Sequence, residues 1–337
     1  MTNRQSNDNN PVSFPLLDQY VHYMQAVKER SPLTMKEYRY DLVLFFRFMK
    51  RDRGLTGRDE KFDEIPIDDI DIDFIKGVIS DDLFVFMIYL SRERKASAAT
   101  RARKAATLKS FFKYLYQKRK LIEEDPSYEL ESPKVGRRLP KYLNLDESVK
   151  LINTAYDSKS TSSKRDYCMI TLFLNCGMRL SELRGINISD IRDDTLTVIG
   201  KGNKERTIYL NPACLRAIAE WLEDRTTHYK IKEPDALFLS ARGDRISPQM
   251  IQNIVKKRLF EAGIDTRTYS VHKLRHTAAT LMYKYGQVDI RSLQTILGHS
   301  SVATTQIYTH VDNEALHDAV NKNPLSNLTP DSSARET

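Results

Sequence analysis

Nothing in the 337-residue sequence approaches the roughly 18 consecutive apolar residues that a membrane-spanning helix needs. The longest candidate, around Leu83–Leu90, is one short segment. The N-terminus, MTNRQSNDNNP, is polar and has no apolar signal core, which argues against secretion. Cysteine is scarce: Cys168, Cys176 and Cys214 are odd in number and form no CxxC pair. They support neither a disulfide framework nor a cysteine zinc site, and a reducing cytoplasm suits them as small buried apolar side chains. No internal repeat is visible. With 40% hydrophobic and 29% charged residues, wholesale disorder is excluded, and the length suits about two domains.

Charge is present in excess and unevenly placed. Lysine and arginine number 53 against 45 acids, a net charge of +8 that hints at a polyanionic partner. Residues 59–82 carry ten acids (Asp59, Glu60, Asp63, Glu64, Asp68, Asp69, Asp71, Asp73, Asp81, Asp82) against Lys61 and Lys76. Residues 92–120 carry eleven bases against Glu93 alone. Such segregation suggests one surface built for phosphate and another turned away from it.

The first half reads as a helical bundle. An apolar-periodic stretch covers Phe14–Glu29, and Ser31-Pro32 opens a second helix to about Lys50, with Leu42, Phe45, Phe46 and Met49 on one face. Residues 52–80, interrupted by Gly54, Gly57, Pro66 and Gly77, read as an irregular excursion. Helix resumes at Leu83–Leu90, and Ser97 caps another to about Lys118. On that last helix Arg101, Arg103, Lys104, Lys109 and Lys113 fall mostly off the apolar stripe, and they are expected to meet phosphates. The predicted organisation is a disordered N-terminus at 1–13 and a helical domain at 14–118. A basic linker follows at 119–139, with Lys134, Arg137 and Arg138 available to a nucleic-acid backbone, then a second domain at 140–323 and a flexible tail at 324–337.

The second half predicts helices at Asp146–Ala155 and Asp166–Cys176 and a hairpin of Thr195–Ile199 with Arg206–Leu210. Further helices are expected at Pro212–Asp224, Ser247–Ala262, Val271–Tyr285, Asp289–Leu297, Ser301–Tyr308 and near Asn313–Val320. Four sites could carry chemistry: Arg179 in GMRLSEL, Lys201 in the hairpin turn GKGNK, VHKLRH with His272 and Arg275, and LGH with His299, followed by Tyr308. Two arginines, a lysine, two histidines and a tyrosine form a cationic set with a nucleophile, suited to a phosphodiester whose non-bridging oxygens gain charge. Taken singly, each residue could be a solvated, capping or packing side chain. His272 and His276 also stand at the i, i+4 spacing of a zinc pair, but no HExxH glutamate or third ligand accompanies them.

In order and spacing, GMRLSEL, VIGKGNKER, HKLRHTAAT and LGHSSVATTQIYTHV resemble the boxes of the tyrosine recombinase (phage integrase) family, and its Xer-type members most. The resemblance spans residues 14–321. It implies a mainly α fold with a small β-hairpin or sheet in the catalytic domain, the two domains forming a C-shaped clamp on double-stranded DNA. It also implies that Arg179 and Arg275 clamp the scissile phosphate and that His299 bonds a non-bridging oxygen. Tyr308 would be the nucleophile, His272 would accept its proton and Lys201 would protonate the leaving 5′ oxygen. Glu182 would orient the site from behind. Tyr269, Tyr283 and Tyr285 lack the spacing of Tyr308 from the histidine. No metal and no other cofactor is expected.

The family assembles as a tetramer on two DNA sites, either of one chain or with a related recombinase, and exchanges strands through a Holliday junction. With about 13 residues before the first helix, a simple Xer-like enzyme without an arm-binding domain is expected. It would be cytoplasmic and nucleoid-associated, acting in chromosome dimer resolution or, alternatively, in integration of a mobile element. The apolar pattern of Ala315, Leu316, Ala319 and Val320 would dock on a neighbouring protomer or on its own domain. The acidic residues 52–82 exceed the family's usual connection and are expected on an outer rim or against a protein. A non-cleaving DNA-binding protein and a metal-dependent nuclease remain the other classes.

Overall fold

The computed structural model describes residues 12–134 except 58, then 136, 141–157, 159–200, 205–286, 288–298 and 304–305. The chain divides into two compact units, Met1–Arg137 and Arg138–Thr337.

In the first unit α1 (Pro15–Ala26) and α2 (Pro32–Asp52) both start on proline, whose missing N–H forfeits no helical bond there. Ser31 caps α2 by accepting from the Thr34 amide at 3.2 Å. After the short α3 (Ile72–Lys76) come α4 (Ser80–Arg92) and α5 (Ala98–Lys113). The last runs on as a π-helical turn, Tyr114–Arg119, and stops at Lys120 with φ +51°. Phe45, Phe46, Phe86, Phe111 and Phe112 are completely buried. Their rings meet mostly edge to face, as in Phe45–Phe86 at 5.2 Å, the arrangement the ring quadrupole favours.

The acidic excursion is not irregular. It contains α3, and Ile65, Ile67, Ile70, Ile75 and Val78 are sunk in the first core while most of the carboxylates stay outside. Lys50, itself buried, donates to the Pro66 carbonyl at 2.9 Å and to Asp69 at 2.8 Å, and Arg47 donates to the Ile65 carbonyl at 3.0 Å. Isoleucines spaced among aspartates thus form an ordered skin over the bundle. Of the predicted linker, Ile122 and Leu130 are also buried in this core.

Lys104 corrects an expectation. It faces inward, 5% exposed, with its ammonium 2.6 Å from the buried Asp41, which also accepts from Arg103 at 2.7 Å and Thr107 at 3.0 Å. It is an internal ion-pair partner and not a phosphate contact. Helical spacing puts Lys104 off the apolar stripe and toward phosphate, but the stem of lysine reaches a carboxylate across the α2–α5 interface.

The second unit is built around α7 (Ser163–Cys176), whose Cys168, Met169, Ile170, Leu172 and Phe173 are fully covered. Against it pack α6 (Leu145–Tyr156), α9 (Pro212–His228), α10 (Pro248–Glu261) and α11 (Val271–Tyr285). Arg258 on α10 is fully buried, where it meets Asp166 of α7 at 2.7 Å. A three-stranded antiparallel sheet of β1 (Ile191–Arg192), β2 (Thr195–Ile199) and β3 (Glu205–Tyr209) pairs Leu196 with Ile208 and Val198 with Arg206. Leu196, Val198 and Ile208 face the core, while Thr197, Ile199, Thr207 and Tyr209 face out. The short α8 (Leu180–Gly185) and α12 (Ile290–Leu297) complete the described unit. Neither α8 nor β1 is predicted from sequence, because six and two residues are too few to display a period. The helices expected at Ser301–Tyr308 and near Asn313–Val320 and both termini lie wholly or mostly outside the described residues.

Asp41→Ala should destabilise the first unit by about 3–5 kcal/mol, since it leaves the Lys104 ammonium buried without its carboxylate. Adding Lys104→Met should restore most of that loss. Urea unfolding of the single and double variants reads both outcomes.

Candidate active site

The site begins where α7 ends. Gly177 takes the left-handed conformation, φ +59°, and a Cβ there would fall 2.8 Å from Leu297 Cδ2, so only glycine lets the chain turn this closely. Two residues on, Arg179 stands in extended backbone just ahead of α8. Its own amide donates to Glu182 Oε2 at 2.7 Å and its Nη1 to Glu182 Oε1 at 2.7 Å. The carboxylate of the third helical residue therefore satisfies an amide that the helix start leaves unpaired.

Glu182 is completely covered, and three guanidinium groups surround it. Arg206 donates to both oxygens, at 3.3 Å through Nε and 2.9 Å through Nη2. Arg275 Nη1 lies 3.8 Å from Oε2. Burial would raise the carboxyl's pKa, but the hydrogen bonds and charges of Arg206 and Arg179 outweigh it and hold the group below its ordinary value. The glutamate therefore stays ionised inside the protein.

The same arginines cap α12. Arg206 Nη1 donates to the Ile296 carbonyl, Arg275 Nη2 to Leu297 at 2.6 Å and Arg179 Nη2 to Gly298 at 2.7 Å. Arg275 Nη1 donates in addition to the Gly177 carbonyl at 2.6 Å. Three successive carbonyls at the negative end of a helix each receive a cation from a different element. Exposure separates the arginines: 28% of the Arg179 side chain meets solvent, against 12% for Arg206 and 4% for Arg275.

On the first turn of α11, His272 packs edge to face on His276 at 4.6 Å. Partial removal from water, then the charges of Arg275, Lys273 and Arg179, push its imidazole below the ordinary value. It is therefore neutral and able to accept a proton at physiological pH.

The structure thus brings Arg179, Glu182, His272 and Arg275 into one charged neighbourhood. Lys201, His299 and Tyr308 lie outside the described residues, as do Arg137 and Arg138. In the first unit Arg101 and Lys109 are half-buried and Lys134 is exposed. Arg103 is shared between Glu37, at 3.1 Å, and Asp41. Sequence reasoning missed Arg206, although a signal was present. Strand alternation puts residue 206 on the same face as Ile208, and a charge at an inward position requires a buried partner.

Residues 141–315 match the Phage integrase family, and residues 17–61 match its N-terminal SAM-like domain. The chain belongs to the phage integrase family. This recombinase is similar to the tyrosine recombinase XerC of Caldanaerobacter subterraneus subsp. tengcongensis, with 55% identity over 312 residues, 93% of this chain and 87% of the relative. It is 35% identical over 309 residues to XerC of Corynebacterium glutamicum, covering 91% of each chain. Among solved structures it resembles the XerH site-specific recombinase in a post-cleavage complex with a palindromic difH substrate. That likeness has a TM-score of 0.68 and 25% identity, over 91% of this chain and 84% of the other.

In a proton-NMR titration of this recombinase, His272 should titrate below about 6.5, the ordinary imidazole value. Arg179→Gln should raise its midpoint by removing one of the positive charges that hold it down. A midpoint unchanged by that substitution would show that Arg179 does not act on the imidazole.

Proposed function

We propose that this Xer-like tyrosine recombinase cuts and rejoins double-stranded DNA at a specific site through Tyr308. The tyrosine oxygen attacks the scissile phosphorus, the bond to the 5′ oxygen breaks, and a 3′-phosphotyrosine bond forms. His272 takes the phenolic proton and Lys201 gives one to the leaving 5′ oxygen. Attack by a 5′ hydroxyl from the partner strand reverses the step. The phosphodiester's free energy is held in the covalent bond, so rejoining needs no ATP.

The observation that carries this reading is the convergence of Arg179 and Arg275 on one buried carboxylate, with His272 close enough for the charges of both to hold its imidazole neutral. Three guanidiniums of total charge +3 meet a single carboxylate there, which leaves a positive field suited to a phosphodiester. Arg179, the most exposed, keeps Nη1 on Glu182 and turns Nη2 from the Gly298 carbonyl to a non-bridging oxygen. Arg275 reaches the phosphate by exchanging one of its carbonyl acceptors for a phosphate oxygen, a stronger charge-assisted partner. His299 bonds a non-bridging oxygen of the same phosphate. A phenol with an ordinary pKa near 10 needs such help, and general acid–base assistance is worth about 10²–10⁴-fold.

Arg101, Arg103, Lys109, Lys134, Arg137 and Arg138 track the DNA backbone. Four protomers, of one chain or shared with a related recombinase, hold two sites and pass through a Holliday junction. The role that fits Xer-type relatives is resolution of chromosome dimers in the cytoplasm, at the nucleoid. No helix of the described residues is long and apolar enough to cross a membrane.

The test is a nicked duplex carrying the recombination site of the protein's own genome, incubated in EDTA and run on a denaturing gel. Wild type should give a protease-sensitive covalent band and Tyr308→Phe none. An equal band from Tyr308→Phe would move the nucleophile to another residue. Cleavage without a covalent band, seen only when a divalent metal replaces EDTA, would favour a metal-dependent nuclease.

A further inference from the structure

Arg206 sits at the second position of β3 on the core-facing side of the sheet, paired with Val198. An arginine among Leu196, Val198 and Ile208 is a costly choice unless its charge is used. All three of its nitrogens have acceptors: Nε and Nη2 take the two oxygens of Glu182, and Nη1 takes the Ile296 carbonyl. Its shaft lies against Gly298, where an added Cβ would fall 2.8 Å from Arg206 Cδ and 3.2 Å from Nε. Gly298 also has φ +63°, so glycine is required there on two counts.

Arg206 is therefore the piece that joins two halves of the site. On one side is the carboxylate that holds Arg179, and on the other is the last turn of α12, which ends two residues before His299 in the sequence. With all its nitrogens turned inward and 12% of its side chain exposed, it is not arranged to meet DNA.

We propose that Arg206 is a positioning residue for strand cleavage, acting through Glu182 on Arg179 and through the Ile296 carbonyl on the turn that leads to His299. This rests on the roles given above to Arg179 and His299. Without Arg206, the Glu182 carboxylate keeps only the Arg179 donors and the more distant Arg275. It then draws the Arg179 guanidinium onto itself and away from a phosphate, and the end of α12 loses one of its three tethers. Lysine cannot replace it fully, because one ammonium does not span two carboxylate oxygens and a carbonyl in the geometry of a planar fork.

The experiment compares wild type, Arg206→Gln and Arg206→Lys for single-turnover covalent-adduct formation on the nicked duplex. Binding to the same duplex is measured by gel shift, and all assays run below the thermal transition of each variant. Arg206→Gln should form adduct about 10²-fold more slowly, as misplacement of a reacting group by about 1 Å does, while its Kd stays within about threefold of wild type. Arg206→Lys should fall between the two. The acid limb of the rate profile should move to higher pH in Arg206→Gln, because the Glu182 carboxyl is no longer held down by Arg206 and protonates earlier.

Wild-type cleavage rates in a folded Arg206→Gln would overturn the proposal. So would equal losses of binding and cleavage in both variants, which would mean a structural role alone. A wild-type protein that forms no adduct would overturn the roles of Arg179 and His299 themselves, and this inference with them.

Discussion

A carboxylate sealed from water is expensive unless charge surrounds it, and Glu182 is fully sealed. Its two oxygens draw Arg179 from the start of α8, Arg206 from β3 and Arg275 from α11 into one place. Without that anion the three guanidiniums would repel one another. Without them it would have to take up a proton. The group that never meets solvent thus sets where the three arginines must stand. Such pre-arrangement is what electrostatic catalysis needs, since donors already in position do not have to be reorganised as charge develops.

The end of α12 adds a second constraint of the same kind. A helix terminus leaves its last carbonyls without partners, and here Ile296, Leu297 and Gly298 each receive an arginine. Left-handed glycines at 177 and 298 allow the α7 and α12 ends to approach closely enough for this, and side chains at either position would collide with Leu297 or Arg206. The arginines proposed to bind phosphate are thus part of the scaffold as well. On that proposal, binding DNA exchanges internal hydrogen bonds for phosphate contacts and does not recruit idle side chains.

The first unit separates its charges by depth. Asp41 and Lys104 neutralise each other inside, which tethers α2 to α5. The acids of residues 59–82 lie mainly over the bundle while isoleucines between them are buried. That arrangement reconciles a strongly charged segment with a place in the core, and it means the segment is held by packing as well as by ion pairs.

Much of this was legible in the residues. Helical spacing of Leu42, Phe45, Phe46 and Met49 marked a real core stripe, and α11 runs over Val271–Tyr285 as its pattern implies. The ordered boxes around Arg179, Lys201, His272, Arg275, His299 and Tyr308 pointed to the family before any fold was known. Periodicity and motif order are local properties, and sequence carries them directly. Which cation meets which carboxylate is not local: Lys104 finds Asp41 63 residues away, and Arg206 finds Glu182 across 24. Sequence by itself determined most of the helices, the hairpin strands and the motif order that marks the family. Only the tertiary structure decided that Lys104 is interior and that Arg206 belongs to the site, because desolvation and pairing of charge depend on which surfaces the folded chain brings together.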